Sequence, residues 1–160
     1  MPKDPLTHRH QRDSVKDTVD LLGDRWTFLI LREAFFGVRR FGEMQRNLGM
    51  ARTVMSSRLK TLVAEGLLER RPYRTDPVWF EYRLTDKGLD FYPVALAMMQ
   101  WGDRYLAGPE GPPTVLRHRS CGQPADPLWV CGHCHKPLHA HDVQPEPGPG
   151  AGHAQADRPA

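Results

Sequence analysis

The sequence predicts a mainly α-helical fold with one small β-hairpin. Residues 41–48 and 52–65 have helical patterns, and Gly49 ends the first of them at a tight connection. Two strand patterns follow at once, at residues 67–71 and 78–84. Apolar helices precede and follow this block. Helix, turn, helix and hairpin in this order predict a winged helix-turn-helix, with N- and C-terminal helices for dimerisation.

The first helix is predicted to begin at Ser14 and to end before Gly23. Val15, Val19 and Leu22 are spaced four and three residues apart, so they lie on one face. The second helix, residues 25–36, is apolar on nearly all sides. We therefore expect it to be buried in the core or shared between the core and a partner.

The helix at residues 52–65 has two different faces. Met55, Leu59 and Leu62 recur at helical spacing and are predicted to pack inward. The opposite face is small, polar and basic, without an acid before Glu65. Its residues are Thr53, Ser57, Lys60 and Ala64, with Ser56 beside them.

The charge of this region is one-sided. From residue 37 to residue 60 the chain has six basic residues and one acid, Glu43. Acidic side chains usually stabilise the N-terminus of a helix, but this helix begins with Arg52 instead. A short basic helix after a sharp turn suits insertion into the major groove of DNA. The alternative is a solvated basic helix in a plain bundle, and the helix pair alone does not decide between them.

The hairpin decides in favour of DNA. Residues 72–77 between the strands are rich in turn formers, and Arg74 is predicted at the tip. A wing in this place can reach phosphates or the minor groove. We predict that base edges face Thr53, Ser56, Ser57 and Lys60, with Arg52 at the helix start. Phosphates are predicted to contact Arg39, Arg40, Arg58 and Arg74.

The last predicted helix covers residues 86–106, with Thr85 as its N-cap. Pro93 either kinks this helix or marks its true start. Its apolar face is broad for a small domain to cover alone, so we expect it to form a dimer interface with the first helix. The alternative is that it only covers the core.

These residues resemble the HxlR-type regulators, bacterial winged-helix transcription factors related in fold to MarR proteins. The resemblance covers residues 14–106. Its marks are Gly-x-x-Trp at residues 23–26, Arg-Arg-Phe at 39–41, Leu-x-x-Leu at 59–62 and Glu-Tyr-x-Leu-Thr at 81–85. It implies a homodimer that binds a palindromic operator, and it implies no enzymatic activity. We expect the regulator to be a repressor, and an activator is the alternative.

Two positions depart from the pattern of that family. Redox-sensing relatives have a cysteine near the start of the first helix, where this chain has Ser14. Thiol sensing at that position is therefore excluded. Many relatives cap the recognition helix with Ser or Thr, where this chain has Ala51. Since an alanine side chain cannot accept the free N–H groups, we expect capping from elsewhere.

A small apolar effector is a further expectation. Aromatic and methionine side chains crowd the predicted contact between the core and the last helix, and clefts of this kind bind small ligands. The predicted pocket residues are Trp26, Phe91, Met98, Met99 and Trp101. The alternative is that this cluster is plain core.

The C-terminal extension, predicted at residues 109–143, contains every cysteine of the chain. His118-x-x-Cys121 and Cys131-x-x-Cys134 have the spacing with which tight turns supply zinc ligands. We predict a small structural zinc ribbon. His133, His135 and His139 are rival fourth ligands. The alternatives are reduced thiols in a loosely ordered tail and a redox pair at Cys131 and Cys134.

Composition sets the broad class. The net charge is +3, and the hydrophobic content of 39% supports a modest core. No apolar run reaches the length of a membrane span, and the start of the chain has no signal core, so we expect a cytoplasmic protein. Residues 1–13 and 144–160 are predicted to be flexible or disordered, around a winged domain at residues 14–108. The competing function is a winged-helix protein-interaction module with a zinc ribbon. An enzyme is not expected.

Overall fold

A computed structural model describes residues 13–146 and 148–149. The predicted flexible N-terminus, apart from Asp13, and most of the predicted disordered tail lie outside the described residues. The elements in chain order are α1 (Ser14–Leu22), α2 (Arg25–Phe35), α3 (Phe41–Leu48), α4 (Arg52–Ala64), β1 (Leu68–Thr75), β2 (Val78–Leu84), α5 (Asp86–Leu89) and α6 (Tyr92–Tyr105). This is the predicted winged helix-turn-helix.

The described chain divides into two compact units. One is Val19–Gly111, which contains the winged helix-turn-helix. The other, which we call the C-terminal unit, joins residues 13–18 to the chain from Pro112 onward. No helix in the described part of the chain is long and apolar enough to cross a membrane.

The core of the winged domain is built from α2, α3 and α4. Ile30, Leu31, Met44 and Met55 are fully buried. The predicted inward face of α4 is confirmed, because Leu59 and Leu62 are also buried, at 1% and 0% exposure. Apolar spacing of three and four residues therefore fixes how α4 turns toward the core.

Inside this core, α2 is tied to α3 by a buried charge. Glu33 is only 5% exposed. One of its carboxylate oxygens accepts a hydrogen bond from Asn47 Nδ2 at 2.7 Å, and the other lies 3.0 Å from Arg32 Nη2. A buried carboxylate is costly unless it is paired, so these contacts hold the first helix of the helix-turn-helix in place.

The hairpin is longer than the sequence predicted. The first strand was predicted at residues 67–71, but β1 runs to Thr75 and pairs with β2 up to Thr75 and Val78. The predicted turn at residues 72–77 therefore shortens to Asp76 and Pro77. Proline is tolerated at a sheet edge, which lets Pro72 stay within the strand. A bulge at Tyr73 interrupts the register.

The predicted last helix at residues 86–106 is wrong as one piece. It is divided into the short α5 and the longer α6, and Pro93 lies in the first turn of α6. Proline lacks the N–H that an interior helical position would use, but it fits the first turn. Pro93 thus marks the true start of α6, the second of the two predicted alternatives.

A tight corner joins the end of α4 to α5. Thr85 Oγ1 accepts the Gly88 N–H at 3.1 Å and donates to the Gly66 carbonyl at 2.6 Å. Lys87 Nζ donates to the Glu65 carbonyl at 2.6 Å. Gly88 is buried, and a Cβ there would lie 2.2 Å from the Leu67 carbonyl oxygen. The Thr-Asp-Lys-Gly stretch, residues 85–88, therefore attaches the end of the wing to the end of the recognition helix.

Candidate nucleic-acid interface

The outer face of α4 is available to a ligand. Thr53, Ser57 and Lys60 are exposed, as predicted, and Ser56 is half-buried beside them. At the start of the helix Ala51 has extended backbone angles and makes no side-chain cap. The first N–H groups of α4 therefore have no side-chain acceptor from Ala51, and the positive end of the helix dipole favours an anion there.

Two arginines beside this helix start are held by aromatic rings. The Arg52 guanidinium lies 5.2 Å from the centre of the Phe41 ring. The Arg40 guanidinium lies 4.7 Å from the centre of the Tyr73 ring and 3.8 Å from Glu43 Oε1. Stacking orients a guanidinium while leaving its N–H edge free to donate. Arg40, a predicted phosphate contact, and Arg52, predicted at the start of the recognition helix, are thus partly pre-positioned.

The segment before α3 joins the wing, which the sequence did not predict. Arg40 forms an isolated antiparallel bridge with Glu81, and the Tyr82 N–H donates to the Arg39 carbonyl at 2.8 Å. This isolated bridge and hydrogen bond anchor the wing to the start of α3. The side chain of Arg39 stays exposed.

An open groove of about 600 Å³ lies between α3, the start of α4 and the wing. Its walls combine guanidinium groups with aromatic rings. The basic residues are Arg40, Arg46, Arg52 and Arg70, and the aromatic ones are Phe41, Tyr73, Trp79, Phe80 and Tyr82. Glu43 is the acid on its wall. A groove with this lining suits a phosphate backbone that passes between the recognition helix and the wing.

Arg74 lies in β1, opposite Trp79 and next to the turn, rather than in a loop at the tip. Its Nε donates to the Asp76 carbonyl at 3.0 Å. The guanidinium is exposed and can still reach a phosphate.

Arg58 is placed differently from the other predicted phosphate contacts. Its Nε lies 3.4 Å from Asp24 Oδ2. Asp24 is the N-cap of α2 and accepts from the Trp26 and Thr27 N–H groups and from the Thr27 hydroxyl. Burial of Asp24 opposes ionisation, but these hydrogen bonds and the Arg58 charge outweigh it and lower the pKa of Asp24. Arg58 therefore stabilises the N-terminus of α2 through its ion pair with Asp24.

Some of the predicted effector residues are exposed to solvent and the others are half-buried. Trp26, Phe91 and Met99 are half-buried, and Phe91 packs on Phe28 with the ring centres 5.7 Å apart. Met98 and Trp101 are 53% and 58% exposed. The groove described above shares none of these five residues.

The predicted zinc ligands lie in two pairs. His118 Nδ1 is 3.5 Å from Cys121 Sγ, and all three cysteines are free thiols. Hydrogen bonds from the N–H groups of Cys134 and His133, and from the Cys134 side chain, lower the pKa of the Cys131 thiol. Among the described residues, no three histidine, cysteine or acidic side chains are gathered closely enough to hold a metal ion.

Comparisons with known proteins identify the family of this chain. The model of the HxlR-like helix-turn-helix family matches residues 21–109. The HTH-type transcriptional regulator Rv3095 of Mycobacterium tuberculosis (strain H37Rv) is 55% identical over 145 residues, which cover 91% of this chain and 92% of that relative. This match is longer than the predicted winged domain, residues 14–108, so it includes part of the C-terminal region.

Solved structures give the same result. The crystal structure of PA1607, described as a candidate transcription factor, has a TM-score of 0.78 and 37% identity, over 88% of this chain and 98% of that one. PA1374 from Pseudomonas aeruginosa, described in the same way, has a TM-score of 0.60 and 33% identity, over 87% and 94%. These relatives are named as a transcriptional regulator and as transcription factors. The chain therefore belongs to the HxlR-like helix-turn-helix family and is a DNA-binding transcriptional regulator.

Proposed function

We propose that this protein is a repressor that binds a palindromic operator as a homodimer in the cytoplasm. The observation that carries the proposal is the exposed face of α4, which has no acid from Arg52 to Ala64 and lies beside an arginine-lined groove. Thr53, Ser56, Ser57 and Lys60 would read base edges in the major groove. The proposed phosphate contacts are Arg39, Arg40, Arg52 and Arg74. Arg58 would also contact a phosphate, but more weakly, because its ion pair with Asp24 already neutralises part of its charge.

The experiment that tests this function is a genomic footprint of the native protein. We expect a small set of bound sites that share an inverted repeat, with half-sites about one DNA turn apart. Transcripts next to these sites should rise when the gene is deleted. Binding without sequence preference, or no binding, would contradict the proposal and would favour the protein-interaction module.

The homodimer is proposed from the apolar surface of α6. None of the residues of this helix is buried, although Val94, Met98, Trp101 and Tyr105 are large and apolar. A contiguous apolar surface of this kind usually marks an interface. In α1, Val15 and Val19 are likewise exposed, at 72% and 57%. A second copy of the chain would cover these residues and set the spacing of the two recognition helices.

For assembly we expect a mass about twice the 18.2 kDa of one chain. Light scattering at micromolar concentration measures it. Met98→Glu together with Trp101→Glu should shift the protein toward a monomer, since two charges cannot be buried in an apolar interface without cost. Leu128→Glu is the matched control, because Leu128 is exposed but belongs to the C-terminal unit. A wild-type monomer would contradict the dimer.

The effector proposal concerns Trp26, Phe91, Met98, Met99 and Trp101. A small apolar molecule bound among them would touch both the core and α6, and could change the separation of the wings. It can do so only if it binds the two states with different affinity. A thermal-shift screen should find apolar compounds that stabilise wild type but not a Trp101→Ala variant. A complete screen without any stabiliser would leave these residues as packing and interface.

A further inference from the structure

The C-terminal unit contains a structural repeat with a period of 13 residues. In the first copy the His118 N–H donates to the Gln123 carbonyl at 2.9 Å, and in the second the Cys131 N–H donates to the Lys136 carbonyl at 2.9 Å. Cys131 lies 13 positions after His118, and Lys136 lies 13 positions after Gln123. The repeat therefore relates His118 to Cys131 as equivalent positions.

Every other backbone contact of these turns obeys the same shift. Gly122 N–H donates to the His118 carbonyl at 2.7 Å, and His135 N–H to the Cys131 carbonyl at 2.8 Å. Bridges join Arg117 to Pro124 and Val130 to Pro137. The closing bonds run from Ala125 to Leu116 and from Leu138 to Trp129, both at 2.8 Å. Two copies of one hairpin are thus present, which we call the first and second knuckle (residues 116–125 and 129–138).

In each knuckle the residue after the second predicted zinc ligand has a left-handed conformation. Gly122, after Cys121, has φ of 71°, and His135, after Cys134, has φ of 58°. His135 is the sole residue other than glycine with positive φ among the described residues. Such a conformation is uncommon for a residue with a side chain. Its recurrence at the same place in both knuckles indicates that the turn geometry itself is required.

In each knuckle this turn brings two metal-ligating side chains together. Zinc bonds sulfur at about 2.3 Å and imidazole nitrogen at about 2.0 Å, so two tetrahedral ligands lie about 3.6 Å apart. The observed distance from His118 Nδ1 to Cys121 Sγ is 3.5 Å. In the second knuckle the turn brings the Cys134 side chain and the N–H groups of His133 and Cys134 within hydrogen-bond reach of the Cys131 sulfur.

We propose that His118, Cys121, Cys131 and Cys134 together bind one structural zinc ion, two ligands from each knuckle. The structure gathers the ligands pair by pair, and no three of them are within metal-binding reach among the described residues. The ion would draw the two pairs onto one tetrahedron and would close the knuckles on each other. A segment this short has little core of its own, so metal binding would supply its folding free energy.

The repeat also selects the fourth ligand among the rival histidines. His118 occupies the position of Cys131 in the other knuckle, whereas His135 occupies the position of Gly122. The equivalent of His133 is Ser120, which is not a usual zinc ligand, and His139 lies outside the second knuckle. A site formed by three cysteines and His118 is therefore the one that uses equivalent atoms from both copies. Four ligands leave no open position for a substrate, so the role is structural.

The test uses the full-length protein purified without a histidine tag and reconstituted with zinc chloride or cobalt chloride. We expect about one zinc per chain by elemental analysis, and a visible cobalt spectrum with thiolate charge-transfer bands. Cys131→Ser and Cys134→Ser should each abolish stoichiometric binding. His118→Ala should weaken zinc binding at least tenfold, and His118→Cys should restore it, because it completes a four-cysteine site.

The matched control is His141→Ala, since His141 lies in the same unit but outside both knuckles. It should bind zinc as wild type does. Protein that takes up less than a tenth of an equivalent would overturn the site. So would binding that survives His118→Ala but is lost in His135→Ala. Operator binding by the winged domain is measured in parallel, and its failure would bear on the proposed function and not on the zinc site.

Discussion

Lys60→Glu is expected to reduce operator affinity by at least about 100-fold, and Lys60→Ala by roughly tenfold, because one base contact contributes about 1–3 kcal/mol of discrimination. Lys60 is exposed on the outer face of α4 and, among the described residues, has no ion-pair partner. The glutamate would remove a donor and also place a negative charge against the phosphates. A gel-shift titration on the footprinted operator measures both effects.

The matched control is Lys136→Glu, which makes the same change of charge in the C-terminal unit. It should bind within a fewfold of wild type. Equal affinity of Lys60→Glu and wild type would remove α4 as the recognition helix and would favour the protein-interaction module.

Arg74→Ala should behave differently from Lys60→Ala. If Arg74 contacts one phosphate, its loss should weaken all DNA sequences alike and reduce the salt slope of the binding constant by about one unit. Lys60→Ala should instead relax specificity at one base position. A comparison of both variants on operator and on unrelated DNA, over a range of salt concentrations, therefore separates positioning contacts from base readout. An unchanged slope for Arg74→Ala would place the wing off the DNA.

The helical part of the fold could be predicted because its signal is local. In α4 the inward residues Met55, Leu59 and Leu62 follow a spacing that any reader of the sequence can see, and burial confirms it. The order of helix, turn, helix and hairpin was enough to predict the winged fold. The sequence misplaced the end of β1, where Pro72 and Arg74 look like loop residues but pair with β2. It also predicted one helix where the structure has α5 and α6.

Partners across the fold could not be predicted from a count of charges. Arg58 looked like any other arginine of the basic helix, yet it meets Asp24 from another helix. Arg40 likewise stacks on Tyr73 and forms a bridge with Glu81, and no pattern at residues 39–40 predicts either contact. The C-terminal repeat is a different case. The backbone contacts first identify which positions are equivalent, and the period of 13 residues can then be found in the sequence.

The Thr-Asp-Lys-Gly stretch shows why a motif can be recognised before it is understood. Its first residue, Thr85, ends the Glu-Tyr-x-Leu-Thr mark of the family resemblance, but the reason for Gly88 is a contact with a segment 21 residues earlier in the sequence. The Gly88 backbone lies so close to the Leu67 carbonyl that there is no room for even a methyl group. That carbonyl is itself fixed, because it accepts the Thr85 N–H at 3.1 Å.

Gly88→Ala is therefore expected to destabilise the winged domain by at least about 2 kcal/mol, in the upper part of the range for overpacked sites. The new Cβ would lie 2.2 Å from the Leu67 carbonyl oxygen, and backbone cannot move aside as a flexible side chain can. For a domain of this size such a loss lowers the melting temperature by roughly 8–16 °C. Thermal denaturation followed by circular dichroism, at one fixed protein concentration, measures it.

Gly42→Ala is the matched control for this substitution. Gly42 lies inside α3, and a Cβ there would meet only Arg46 Nη1, at 3.7 Å. Because alanine is a better helix former than glycine, this change should raise stability by up to about 1 kcal/mol. Opposite signs for the same chemical change would assign the loss at Gly88 to the close backbone approach. If Gly88→Ala melted at the wild-type temperature, the corner between α4 and α5 would have to be looser than its hydrogen bonds from Thr85 and Lys87 indicate.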